Sequence, residues 1–258
     1  VSAGTTLALI TARLTSTRLP GKALRPIRSR PLVGHLLDRL RLGSRIDDVV
    51  MCTSARAEDD PLERWAHEEG IPCFRGHPDD VLVRIRDAAS TLGCERAFVC
   101  GADNPFTDPV HMDALLDLLE RRHYDYVETN GLPWGAYGWA VTTQALERAC
   151  ELKDTTRTEA WTGYFTQTGR FRFGIVDADT SVRWPELRLT VDTPEDFELT
   201  GKIFDELDRP GAPFSLIDIV KLCREKPELL AVNASVQQRS RPPIQLRTEL
   251  QAAEGVGS

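Results

Sequence analysis

Lysine is scarce in this chain: of its 32 basic residues only five are lysines, and Lys22 is the only one before Lys153. No run approaches the roughly 18 consecutive apolar residues of a membrane span, so no spanning helix is expected. The 6 cysteines (Cys52, Cys73, Cys94, Cys100, Cys150 and Cys223) form no C-x-x-C pair and have no histidines at zinc spacing, which excludes a zinc module. Several lie in apolar runs, as Cys100 does after Ala97-Phe98-Val99, and read as reduced core residues. The opening residues lack a charged leader followed by an apolar core and cleavage site, so a cytoplasmic protein is expected. No internal repeat is visible. Acids are missing from the start of the chain. Up to Leu37 there are none, while Arg13, Arg18, Lys22, Arg25, Arg28 and Arg30 supply six positive charges, and all 39 acids follow. The net charge of −7 argues against a general binder of nucleic acid or anionic membrane. An acid-free basic start on an acidic protein is the feature to explain.

Short apolar runs alternate with amphipathic stretches along the first half. Leu7 to Ile10, Val49 to Cys52, Pro72 to Phe74 and Ala97 to Cys100 read as strands. Pro31 to Leu42, Asp59 to Glu69, Asp79 to Leu92 and Val110 to Glu120 read as helices. Such spacing predicts an α/β fold with a mainly parallel sheet and helices on both faces. In such sheets ligands bind where loops leave the strands' carboxyl ends. The second half predicts strands at Tyr124 to Thr129, Tyr137 to Thr143, Phe171 to Val176 and Leu187 to Val191. Its helices are expected at Gln144 to Cys150, Thr158 to Thr168, Pro194 to Leu207 and Leu216 to Glu225. One domain is expected over 1–233, with an acceptor or dimerisation subregion near 130–185. The Gln-, Arg-, Ser-, Pro- and Gly-rich stretch 234–258 is expected as a mobile tail.

The first strand runs into Ala12-Arg13-Leu14-Thr15-Ser16-Thr17-Arg18-Leu19-Pro20-Gly21-Lys22. This is not a P-loop, since Ala23 follows the lysine where Ser or Thr is needed, and no G-x-G-x-x-G occurs anywhere. Two arginines, hydroxyls, a glycine and a lysine at a strand's carboxyl end can still wrap a polyphosphate, through forked donors, a compact charge and loop amides. A solvated basic loop is the alternative.

The loop resembles the Ala-Arg-x-x-Ser-Thr-Arg-Leu-Pro-Gly-Lys signature of the cytidylyltransferases that activate acidic sugars, the Kdo and acylneuraminate enzymes and their spore-coat polysaccharide relatives. The resemblance covers roughly Leu7 to Leu207. It implies a nucleotide-diphospho-sugar-transferase-like, Rossmann-like fold, with CTP held by this loop. Arg13, Arg18 and Lys22 would contact the triphosphate as the catalytic cations, with Ala12, Ser16 and Thr17 beside them. Gly101-Ala102-Asp103-Asn104-Pro105-Phe106 is similar to the family's Asp-x-Pro segment, which makes Ala102 a nucleotide contact and Asp103 a Mg²⁺ ligand. A bare D-N-P also reads as a turn. Leu187-Arg188-Leu189-Thr190-Val191-Asp192-Thr193-Pro194-Glu195-Asp196 resembles the spore-coat branch, and implies that Asp192 is the second Mg²⁺ carboxylate. Two carboxylates plus phosphate oxygens suit that ion. Thr53, Ser54 and Arg75 fall where the family recognises pyrimidine and ribose, though Thr53 and Ser54 also read as turn residues, while Arg84 reads as a helix-surface salt bridge.

The acceptor half departs from the pattern. The relatives' Gly-Leu/Phe-Asp-x-Glu appears as Gly135-Ala136-Tyr137-Gly138-Trp139, without a carboxylate. Their Glu-His-x-Thr-Pro appears as Glu159-Ala160-Trp161-Thr162-Gly163. Tyr137, Trp139, Arg157, Trp161 and Arg172 are the candidate acceptor contacts, while Tyr137, Trp139 and Trp161 also read as core packing or a dimer face. The expected acceptor is a small anion, a phosphonate or phosphono-acid before a Kdo- or neuraminate-like sugar acid, with Mg²⁺ as cofactor. A homodimer is implied by the resemblance alone. Two other readings stay open: a non-catalytic nucleotide-binding protein of the same fold, and a glycosyltransferase using Asp177-Ala178-Asp179 as a D-x-D.

Overall fold

Strands too short to fold alone become stable when both faces are covered, and this chain covers them with helices. The computed structural model describes residues 4–209, 211–238 and 243–247. The strands are β1 (Thr6–Thr11), β2 (Pro26–Ile27), β3 (Arg30–Pro31), β4 (Asp48–Ser54), β5 (Cys73–Gly76), β6 (Arg96–Gly101), β7 (Tyr126–Asn130), β8 (Trp139–Thr142) and β9 (Phe173–Asp177). The helices are α1 (Leu32–Leu40), α2 (Asp60–Glu68), α3 (Val81–Thr91), α4 (Pro109–Arg122), α5 (Thr143–Leu152), α6 (Gly163–Thr166), α7 (Pro194–Leu207) and α8 (Leu216–Glu225). Seven strands form one sheet in the order β5-β4-β1-β6-β8-β7-β9. Within it β8 alone runs antiparallel to its neighbours β6 and β7.

Alternation along β1 sorts its side chains to two faces. Ala8 and Ile10 join a cluster with Leu36, Leu37, Leu62 and Leu115 from α1, α2 and α4, while Leu7 and Leu9 join Ile85, Ala89 and Leu146 from α3 and α5. A third cluster gathers Leu19, Phe106, Leu189 and Val191 with Leu199 of α7 and Ile219 of α8. That third core anchors the loops beyond the sheet's carboxyl edge. The chain leaves β1 with β4 on one side and β6 on the other, and the crevice at that reversal is where the functional loops meet.

Two expected elements are corrected. Leu187 to Val191 is not a sheet strand. Its amides turn to loops instead: Leu189 and Thr190 donate to the Trp134 carbonyl at 2.7 and 2.9 Å, and Val191 to that of Asp103 at 2.8 Å. Thr158 to Thr168 is helical only over Gly163–Thr166. The Thr158 hydroxyl is committed to tertiary bonds, accepting from the Leu82 amide at 3.0 Å and donating to Asp80 at 2.8 Å, which holds its backbone outside a helix. Part of the expected tail is seated as well. Arg247 donates to the Leu152 carbonyl and Asp154 to that of Gln245, at 3.0 and 2.9 Å, and Ile244 packs on the α3–α5 core. Residues 239–242 and 248–258 of that tail lie outside the described residues. Among the described residues no helix is long and apolar enough to cross a membrane.

Candidate active site

The first loop is folded so that its lysine turns back into the crevice. Leu19 is buried in the third core, and Gly21, in the left-handed region at φ 69°, donates to the Leu14 carbonyl at 3.1 Å. An L side chain rarely adopts that conformation, so glycine fits here. Buried Asp59 fixes the loop from behind, accepting from the Leu14 amide at 2.7 Å and from the Ser54 hydroxyl.

Lys22 emerges between the two carboxylates singled out in the sequence. Its Nζ donates to Asp103 Oδ2 at 2.7 Å, Asp192 Oδ1 at 2.8 Å and the Val191 carbonyl at 2.9 Å. Burial by itself would pull this ammonium down, but Asp103 and Asp192 outweigh it and hold the group above its ordinary value. Asp192 is likewise opposed by burial, yet Lys22, Arg18 and Arg188 keep its carboxyl below the usual range. The Arg18 guanidinium lies 3.1 Å from Asp192.

Asp192 stands at the start of α7, where Thr193 and Asp196 form a capping box. Asp196 Oδ2 accepts from the Asp192 amide at 2.9 Å, and Arg188 bridges Asp196 at 2.8 Å and Asp192 at 3.1 Å. Arg188 and Asp196 thus orient the carboxylate, a role unassigned in the sequence reading. The Thr-x-x-Asp spacing was the available signal.

A cavity of about 640 Å³ opens over this cluster. Its wall includes Ala12, Arg13, Ser16, Thr17, Arg18, Lys22, Ala102, Asp103 and Asp192, together with Tyr137, Trp139 and Trp161. Thr15, Trp134 and Glu159 also line it and were not assigned from sequence. Arg13 reaches the Pro78 carbonyl at 3.0 Å, with Asp79 and Glu159 at 3.8 and 3.9 Å.

Five expected site residues are not part of this wall. Thr53 is fully buried and donates to the Ala12 carbonyl at 3.1 Å, so it supports the loop from below. Ser54 is spent on Asp59. Arg75 is claimed by Asp60 and Glu63 at 2.6 and 2.7 Å. Arg157 is exposed, and Arg172 lies over the Tyr124 ring and donates to the Arg122 carbonyl. Arg84 is not a surface ion pair but a buried side chain donating to the His77 carbonyl at 2.9 Å.

The donor set can be tested against the divalent cation that the resemblance implies. Three hard oxygens, from Asp103, Asp192 and Val191, already converge on one positive centre, the Lys22 ammonium. Among the described residues no group of three or more His, Cys, Asp or Glu could cage a metal. Two carboxylates completed by phosphate oxygens and water suit Mg²⁺, so the residues fit it.

Comparison with known proteins gives these features a family. The cytidylyltransferase family model matches residues 7–172, and the chain belongs to that family. It is 30% identical over 230 residues to the spore coat polysaccharide biosynthesis protein SpsF of Bacillus subtilis, covering 86% of this chain and 95% of that protein. Among solved structures, a cytidylyltransferase from Leptospira borgpetersenii superposes with a TM-score of 0.81 at 24% identity, over 92% of this chain and 99% of the other. A CMP:2-keto-3-deoxy-manno-octonic acid synthetase complexed with CTP gives 0.60 at 16% identity, over 78% and 99%. At these identities the structures establish the fold, a nucleotidyltransferase-type α/β architecture.

Proposed function

We propose that this cytidylyltransferase uses CTP and Mg²⁺ to transfer CMP to a small acceptor with an ionised oxygen, releasing pyrophosphate. The observation that carries the reading is the meeting of Lys22 with Asp103 and Asp192, drawn from three distant segments, at 2.7 and 2.8 Å in the crevice beyond β1 and β6. In this reading Arg13, Arg18 and Lys22 hold the triphosphate, and Lys22 moves from the carboxylates to the α-phosphate, where negative charge grows. Asp103 and Asp192 are the residues that would hold the metal. When bound, it neutralises phosphate charge during the displacement. The acceptor oxygen forms a bond to the α-phosphorus in line with the bond that breaks, and pyrophosphate departs with that electron pair. Among the described residues no histidine lines the cavity to act as base, and an ionised acceptor needs none. A phosphonate or phosphono-acid is favoured over a sugar acid because the carboxylate and histidine of the relatives' acceptor segments are replaced by Tyr137, Trp139 and Trp161. A cytoplasmic homodimer is part of the same proposal.

The test is pyrophosphate release from CTP and Mg²⁺ across an acceptor panel. Lys22→Ala is expected to retain CTP binding and lose about 10²- to 10³-fold in turnover. A wild type that binds CTP yet releases no pyrophosphate with any acceptor would point to the non-catalytic reading instead.

A further inference from the structure

The cavity has two chemistries. Among the described residues its basic side chains, Arg13, Arg18 and Lys22, all come from the first loop. Another part of its wall is aromatic: Trp134, Tyr137, Trp139 and Trp161. These rings form a continuous series, Trp134 to Tyr137 at 6.0 Å, Tyr137 to Trp139 at 5.8 Å and Trp139 to Trp161 at 5.5 Å between centroids. Each meets the next edge to face, at 84°, 77° and 76°. Ring planes that turn through near right angles do not form a flat stacking platform; Trp134, Tyr137 and Trp139 are half-buried, and Trp161, 4% exposed, backs them.

Among the described residues, Glu159 supplies the only carboxylate in this lining apart from the Asp103–Asp192 pair. Its side chain is 47% exposed and its nearest cationic contact is Arg13 at 3.9 Å, outside hydrogen-bond range. Arg13 is itself held by the Pro78 carbonyl at 3.0 Å. Among the described residues no arginine or lysine beyond the first loop lines the cavity, and Arg157 and Arg172 lie elsewhere. A second anionic group on the acceptor would meet ring faces, which are electron-rich, and a carboxylate. A cation would be attracted by both.

We propose that the acceptor is a small zwitterion. A phosphonate or phosphate-monoester oxyanion attacks CTP, and a short chain links it to an ammonium group that packs on the half-buried Tyr137 and Trp139 beside Glu159, with the buried Trp161 behind them. This rests on the cytidylyl-transfer reading. The oxyanion forms the new P–O bond at the α-phosphorus, the α-phosphorus–oxygen bond to the β-phosphate breaks, and pyrophosphate leaves with that electron pair. The ammonium keeps its charge throughout.

Matched pairs of acceptors test it at saturating CTP and Mg²⁺, read by pyrophosphate release. Phosphocholine is set against 3,3-dimethylbutyl phosphate, its uncharged isostere, and 2-aminoethylphosphonate against propylphosphonate. The cationic member of at least one pair should show kcat/KM about tenfold higher or more, and Glu159→Gln and Trp139→Leu should each shrink that ratio. Preference within the first pair alone assigns a phosphate ester, within the second alone a phosphonate. Equal rates within both pairs, preference for the neutral members, or turnover of a sugar acid alone overturns the inference while leaving cytidylyl transfer standing. If no acceptor turns over although CTP binds, the transfer reading fails. Tryptophan fluorescence titrated with phosphocholine then still decides the aromatic site: saturable quenching weakened in Trp139→Leu supports it, and no quenching overturns it.

Discussion

Asp59 shows how a residue that touches no ligand can control one that does. It is 1% exposed, and its two oxygens accept from the Leu14 amide at 2.7 Å and from the Ser54 hydroxyl. Leu14 follows Arg13 directly, so this bond sets where the loop's first cation leaves β1. Removing the carboxylate leaves both donors without that partner, and an unmet buried hydrogen bond costs about 1–3 kcal/mol. Asp59→Ala should lose about that much stability in urea unfolding and raise the KM for CTP several-fold, with a smaller effect on kcat. Asp59→Asn, which keeps an acceptor oxygen for Leu14, should recover part of the KM. An unchanged KM in Asp59→Ala would mean that the loop is positioned without it. Arg75 teaches the converse. Its place in the family pattern suggested a ligand contact, but Asp60 and Glu63 lie within 2.6 and 2.7 Å and hold it on the surface. One-dimensional pattern cannot reveal such a competition between partners.

The segments that carry Asp192 and the aromatic wall are joined by backbone, and Gly135 is the point of closest approach. It has φ 95°, and a Cβ there would lie 2.4 Å from the Thr190 amide nitrogen. Both the conformation and the crowding forbid a side chain. Gly135→Ala must therefore push Pro133 to Ala136 away from Leu187 to Val191, whose amides bond to Trp134. It should destabilise the protein by about 2–3 kcal/mol and lower turnover, with both read on the same preparation by thermal unfolding and pyrophosphate release. Wild-type stability and activity would show that the two segments are not coupled through this contact. The same locality explains what could be read from sequence. The βα alternation of the first half and helices α7 and α8 are encoded by short-range apolar periodicity and caps, and they appear at Pro194–Leu207 and Leu216–Glu225 as expected. Leu187 to Val191 has a strand's composition, but its partners are loops distant in sequence. Thr158 to Thr168 has a helix's spacing, but the Thr158 hydroxyl is engaged by Asp80 and Leu82. Tertiary partners decide such segments, and local pattern does not contain them.

At the scale of the whole molecule, the acid-free start and the acidic remainder are two halves of one site. The first loop brings Arg18 and Lys22, and later segments bring Asp103 and Asp192 to meet them. Without ligand, the cations and carboxylates neutralise one another across the crevice. A metal–nucleotide complex would give each a new partner, tying the β1 loop, the β6 loop and the start of α7 to one molecule. Ligand that binds only the folded chain stabilises it by about 2.7 kcal/mol at a hundredfold excess over Kd. For a chain of this size that shift corresponds to roughly 5–10 °C in melting temperature. CTP with Mg²⁺ should produce it, CTP with a chelator should produce less, and Asp192→Asn should abolish the difference between the two. The measurement is a thermal scan of wild type and variant under the three conditions. A wild-type shift that is the same with Mg²⁺ as with chelator would remove Asp103 and Asp192 as metal ligands and leave them as counterions of Lys22 alone.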